Sequence, residues 1–161
     1  MRFLPVTLLA FIVYIIITGS MTLYDITTGI ITAIAAGLLF GKYLVKNPQK
    51  ALNPARWAAM VAYFIKYITI IEPKAHLDVI KRIISGDTNP GIIRVPITVK
   101  DEYAKFLVAN SITNTPGTVT VYMDDKYAYV NWIDVKTRDP DEARREILEE
   151  FEKHAKRIFE G

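Results

Sequence analysis

Residues 3–18, FLPVTLLAFIVYIIIT, and residues 26–40, ITTGIITAIAAGLLF, contain no charged side chain. Tyr43, Leu44 and Val45 extend the second run. As a helix from Ile26 to Val45 it covers about 30 Å, the thickness of a bilayer's hydrocarbon core. The first run reaches a similar length if it continues to Leu23. The connection through Gly19, Ser20 and Asp25 is short. Backbone in lipid must satisfy its own hydrogen bonds, so two such segments predict an antiparallel transmembrane hairpin over residues 1–45. Arg2, the apolar run and Thr18-Gly19-Ser20 also fit a secretory signal peptide loosely; the expectation is a retained membrane helix.

Composition points the same way. Apolar residues make up 51% of the 161-residue chain and the mean hydropathy is positive, which is unusual for a soluble domain this small. The absence of cysteine excludes a disulfide framework, a thiolate metal site and a cysteine nucleophile. Charge is unevenly placed: residues 1–91 carry nine Lys/Arg against four Asp/Glu, residues 92–161 eleven against thirteen. The basic excess therefore sits beside the apolar segments, where it serves topology or anionic lipid, and forms no nucleic-acid-binding face. Lys42, Lys46, Lys50 and Arg56 follow the second run with no acid among them. That places residues 42–56 and the N-terminus in the cytoplasm, in a multi-pass protein of the cell membrane.

A third apolar run, Trp57 to Ile71, contains Lys66 and precedes Glu72-Pro73-Lys74. It is short for a span. The expectation for residues 46–90 is a basic loop and a helix in the membrane interface, with Trp57, Tyr63 and Tyr67 at headgroup level and Lys66 snorkelling. A third crossing is the alternative. Residues 75–84 continue as an amphipathic helix with Leu77, Ile80, Ile83 and Ile84 on one face.

Gly29, Ala33, Gly37 and Gly41 recur at every fourth residue and make one small-residue stripe. It lets another backbone approach closely: the first helix of the same chain, or a partner subunit. Between Phe3 and Phe40 the one ionisable carboxyl or amine is Asp25, expected to cap the second helix. Ion paths need buried acids, Lys or His, so the hairpin is not expected to be a pump by itself.

Residues 91–161 read as a small α/β domain, cytoplasmic by the same charge rule. Ile93, Val95, Ile97 and Val99 alternate along a strand, and Pro96 puts it near a sheet edge. Asp101 opens a helix over 102–112. Residues 118–123 and 127–135 form strands around the turn Asp124-Asp125-Lys126. Asp139-Pro140-Asp141-Glu142 opens a long helix whose buried stripe is Ile147, Leu148, Phe151, Ala155, Ile158 and Phe159. The order β-α-β-β-α predicts a mixed three-stranded sheet with two helices on one face. The fold class is thus a membrane α-helical hairpin plus a small α+β domain.

Chemistry is scarce. His76 and His154 lack a metal-ligand pattern, Ser111 has no nearby base, and the acids and bases of 141–157 read as a solvated helix face. No catalytic residue, metal or cofactor is expected.

Leu107 to Val121, LVANSITNTPGTVTV, resembles the cytoplasmic signature of the E-type component of multisubunit Mrp-type (Mnh-type) Na+/H+ antiporters. Leu77-Asp78-Val79 and Gly91-Ile92-Ile93-Arg94-Val95-Pro96 match in the same order. The resemblance covers essentially the whole chain; Asn114 and His76 depart from the family's usual residues. It implies a non-catalytic accessory subunit whose partners are the other subunits of such an antiporter, or of the archaeal membrane-bound hydrogenase-type respiratory complexes that contain related E-type chains, together with membrane lipid. The Ile-rich chain, with one Gln and no Cys, fits a thermophile and the archaeal setting. The signature residues are Asn110, Ser111, Thr113, Thr115, Pro116, Gly117 and Thr118. Asn110, Ser111 and Thr113 are placed to hold the last carbonyls of a helix, and Pro116 and Gly117 to redirect the chain; the rival role is contact with a partner. A membrane-tethered lipid- or ligand-binding module is the alternative function.

Overall fold

The computed structural model describes residues 2–161, which form two compact units, one up to Pro54 and one from Ala55 to Gly161.

In the first unit, helix α1 (Phe3–Thr18) pairs with α2 (Leu23–Leu44). Gly19 ends α1 at φ +62°, a left-handed conformation in which its N–H reaches the Ile15 carbonyl at 3.0 Å. Thr22, rather than the expected Asp25, is the N-cap of α2. Its hydroxyl accepts from the Asp25 N–H at 3.2 Å and donates to the Asp25 carboxylate, which Ser20 also reaches at 2.6 Å. This is a capping box with aspartate in the glutamate position.

The small-residue stripe faces α1. Gly29, Ala33, Gly37 and Gly41 are the buried residues of α2. A Cβ on Gly37 would collide with Thr7 Oγ1 and lie 2.9 Å from the Phe3 carbonyl oxygen; one on Gly41 would lie 2.6 Å from Phe3 Cα. The space offered to a partner backbone is therefore filled by the chain's own first helix. Tyr14 and Thr28 share a hydrogen bond of 2.8 Å across the pair. A short helix, α3 (Pro48–Ala51), follows, capped by Asn47.

From the boundary at Pro54 runs an unbroken helical path: α4 (Pro54–Lys66), a π-helical turn (Tyr67–Ile71) and α5 (Glu72–Ser85). Glu72-Pro73-Lys74 does not end the helix. Proline has no N–H and its ring collides with the carbonyl four residues back. The widened turn, in which the Glu72 N–H reaches back five residues to Tyr67, accommodates it. The extra residue also corrects the helical phase. Tyr67 and Ala75, eight apart, would differ by about 80° in a plain α-helix; one inserted residue brings them within about 20°. Tyr63, Tyr67, Ala75 and Val79 consequently share a face.

Through Tyr63 and Tyr67 that face joins a core built around a sheet of β1 (Gly91–Pro96), β2 (Thr118–Met123) and β3 (Tyr127–Trp132). The strand order is β1-β3-β2. Because β3 lies in the middle and runs against both neighbours, the sheet is wholly antiparallel, not mixed. A bulge interrupts β2 between Thr120 and Tyr122. Ile93, Val95, Ile97 and Val99 are buried, as alternation requires, with Ala128 and Val130 opposite them on the central strand. Helix α6 (Glu102–Asn114), capped by Asp101, adds Ala104, Val108 and Ile112. The C-terminal helix is divided at Leu148 (φ −131°, ψ −15°) into α7 (Pro140–Ile147) and α8 (Glu149–Ala155), with a closing π turn (Lys156–Glu160). Ile147 and Leu148 are adjacent and both buried. Side chains about 100° apart on a straight helix cannot share one core face equally, and the break lets both point inward.

Candidate functional site: the signature corner and the clasp on the long helix

The signature residues gather where α6 ends and β2 begins. The Ser111 hydroxyl donates to the Leu107 carbonyl at 2.7 Å, and the Tyr63 hydroxyl of α4 meets it at 2.5 Å. The Thr115 hydroxyl donates to the Ser111 carbonyl at 2.7 Å and lies 3.3 Å from the Tyr67 hydroxyl. Tyr67 donates to Glu72 at 2.8 Å. Burial, with a lesser contribution from Glu72, pushes the Tyr67 pKa up to about 12, so the phenol remains a donor at neutral pH. Burial likewise raises the Tyr63 phenol. Both tyrosines thus belong to the domain core and its polar seam, not to a headgroup layer.

Thr118 donates to the Ile112 carbonyl at 2.8 Å, and Asn110, on the exposed side, to the Phe106 carbonyl at 2.8 Å. Thr113 acts differently from its expected role: its hydroxyl accepts the Thr120 N–H at 3.1 Å and so tacks β2 to α6, while the Thr120 hydroxyl returns to the Ala109 carbonyl. Pro116 leads into Gly117, which has φ +94°. A Cβ there would sit 3.1 Å from Ile133 Cγ2 and 3.4 Å from Val79 Cγ2, which leaves little room between the end of β3 and α5. The structure therefore brings all seven signature residues into one corner. Ser111, Thr115 and Gly117 also meet the long helix.

Two charged contacts extend the clasp. Lys66 does not snorkel; it pairs with Glu150 of α8, which also accepts from His154 at 3.1 Å. The hydrogen bond from Lys66 lowers the Glu150 carboxyl below its ordinary range. At the far end, Arg82 bridges Asp78 at 2.9 Å and Asp134 at 2.6 Å. Arg56 donates to the Ile158 carbonyl at 2.8 Å, near the chain's last helical turn.

Glu152, expected on a solvated helix face, is 1% exposed. Its carboxylate accepts from the Thr98 N–H at 2.5 Å, the Thr98 hydroxyl at 2.8 Å and the Val99 N–H at 3.3 Å, and is paired with Arg144. Glu160 does the same one step on, for the N–H groups of Lys100 and Asp101. No local signal marks Glu152, because its donors at Thr98 and Val99 lie more than fifty residues away in sequence.

The arrangement is one of fastening. The Ser111 hydroxyl is committed to Leu107 and Tyr63 and is nearly closed to solvent. Among the described residues, no group of three or more His, Asp or Glu could hold a metal ion.

The chain has relatives among known proteins. The family profile for Na+/H+ ion antiporter subunits matches residues 7–158. The chain is 34% identical over 103 residues to the E-type Na(+)/H(+) antiporter component of Alkalihalophilus pseudofirmus, a match that spans 60% of this chain and 61% of that relative's length. It is 30% identical over 145 residues to the E1-type Na(+)/H(+) antiporter component of Staphylococcus haemolyticus, covering 82% of each. A chain of the membrane-bound sulfane sulfur reductase, an archaeal respiratory membrane complex, superposes with a TM-score of 0.87 at 31% identity, over 98% of this chain and 99% of that one. With the signature corner, the helix that it holds, α2 and most of α1 inside the matched span, the chain belongs to the family of Na+/H+ ion antiporter subunits.

Proposed function

We propose that this chain is a non-catalytic structural subunit of a multisubunit, antiporter-type membrane complex, of the kind found within an archaeal respiratory assembly. The observation that carries the reading is the near-complete, two-way match to a chain of such an assembly. The hairpin supports it. Helix α2 is long and apolar enough to cross a bilayer. The outward surface of the pair is apolar, with Ile17 and Leu38 more than two-thirds exposed, as lipid contact requires and water does not favour. No acid, Lys or His lies at depth in it, so the ion path belongs to other subunits. Lys42, Lys46 and Lys50 support a cytoplasmic second unit.

The test is affinity purification of the tagged full chain in mild detergent, together with reconstitution of the chain alone into vesicles holding a pH-sensitive dye. Antiporter-like subunits are expected to co-purify, and the lone chain to give no sodium-dependent proton movement above empty vesicles. Purification as a solitary chain, or exchange by the chain alone, overturns the proposal.

A further inference from the structure

The face of the α4–α5 path opposite the clasp is also apolar, and it too depends on the π turn. With the inserted residue counted, Val61, Ile65, Ile68, Leu77, Ile80 and Ile84 all project within about 60° of one line. Each is about half exposed or more, and Ile84 is 81% exposed. The line runs for about 35 Å. Without the extra residue, the stripe on α4 and the stripe on α5 would diverge by about 100°. His76 interrupts it, its Nδ1 3.1 Å from Glu72.

We propose that this stripe is a membrane-docking surface: the long helix lies along the plane of an anionic bilayer, with its apolar side among the acyl chains nearest the headgroups. The inference rests on the membrane-subunit reading above and extends it. The occupant follows from three observations. First, the opposite side of the helix is fastened at intervals along its length, through Arg56, Tyr63, Lys66 and Arg82, to a domain in which residues 92–161 carry 24 charged side chains. Such a domain stays in water, so the helix cannot cross the bilayer and can meet lipid only along its length. Second, Lys74 and Lys81, both exposed, project on one flank of the stripe, about 80–100° from its centre, where their ammonium groups reach headgroup phosphates. The acids of α5 are engaged on the helix itself, Glu72 with His76 and Asp78 with Arg82. Third, the nine residues 45–53 that precede α4 in the chain include Lys46 and Lys50, further cations for an anionic headgroup layer.

The chain has no cysteine, which makes single spin labels straightforward. The full chain, reconstituted in nanodiscs of phosphatidylcholine and phosphatidylglycerol, carries labels singly at Val61, Ile68, Ile80 and Ile84. Asp87 and Lys126 serve as water controls and Leu38 as the hairpin control. The measurement is relaxation by oxygen against relaxation by a water-soluble nickel chelate. All four stripe labels are expected to favour oxygen, at similar shallow depths. The double variant Lys74→Glu/Lys81→Glu should lower that preference several-fold, as should discs without phosphatidylglycerol. A depth that changes steadily from Val61 to Ile84 means a crossing helix and overturns the proposal. Nickel access at all four sites, with Leu38 still in lipid, overturns it too and leaves the stripe for a protein helix. Nickel access at Leu38 itself would instead strike at the membrane-subunit reading.

Discussion

The two units hold together by opposite means. The hairpin relies on small residues: α1 sits directly on the backbone of α2 at Gly37 and Gly41, and a cross-helix hydrogen bond joins Tyr14 to Thr28. The second unit relies on polar groups with distant partners. Glu152, the Tyr63–Ser111 pair and Lys66–Glu150 join segments 48 to 84 residues apart. On the membrane-subunit reading proposed above, the difference follows from solvent. In lipid, apolar burial gives no drive for helix pairing, so close packing supplies it. In water, apolar burial drives collapse, and buried polar pairs add specificity at a desolvation cost.

The largest test of this contrast is Glu152→Ala. It would leave the amides of Thr98 and Val99 without their acceptor and Arg144 with Glu149 as its remaining carboxylate, and losing one partner of a buried pair costs up to about 3–5 kcal/mol. A thermal melt of the detergent-solubilised chain, followed by fluorescence of the buried Trp132, should shift down strongly or show no folded baseline. A melt within a degree or two of the parent would mean that the carboxylate is not a fastening of the second unit.

Next is Gly37→Leu, expected to damage the hairpin alone. Overpacking a tight contact costs about 1–3 kcal/mol. Thr7→Ala should recover only part of the loss, because the Phe3 carbonyl oxygen is backbone and stays 2.9 Å from the new Cβ. Cross-linking between cysteines placed on α1 and α2 should fall, with the Trp132 melt unmoved. Complete rescue by Thr7→Ala would show that the helix backbones are not in close contact.

Ser111→Ala removes the acceptor of the Tyr63 hydroxyl and should cost about 1–3 kcal/mol. Ser111→Ala with Tyr63→Phe should cost less than the two single changes added, because the orphaned hydroxyl is gone. Strict additivity would break the clasp between signature and long helix.

The smallest effect is at Lys66 and Glu150, both close to half exposed. Lys66→Ala should cost about 1 kcal/mol or less. Its sign is more informative than its size. The folded state lowers the Glu150 carboxyl, first through the Lys66 hydrogen bond. The stabilisation is therefore present above the unfolded carboxylate range and lost as the pH falls through the folded value. The parent should lose stability on acidification slightly faster than Lys66→Ala; parallel curves would remove the pair from the clasp.

What sequence by itself determined was local or periodic. Two uncharged runs set the hairpin, period-two alternation set β1, and Asp101 and Asp139 marked helix starts at which their side chains do cap. The corner around Pro116 and Gly117 was legible because turn chemistry is carried by the residues that turn. Tertiary structure decided the rest. Glu72-Pro73 reads as a helix end, and only the π turn, held where Tyr63, Tyr67 and Val79 all meet one domain, keeps the helix whole. A stripe of glycines shows that a backbone approaches but not whose, until α1 lies on it. Tyr63 reads as an interfacial aromatic and Glu152 as a solvated acid because each depends on a partner roughly fifty residues away. A burial made by distant partners leaves no mark in the residues next to it.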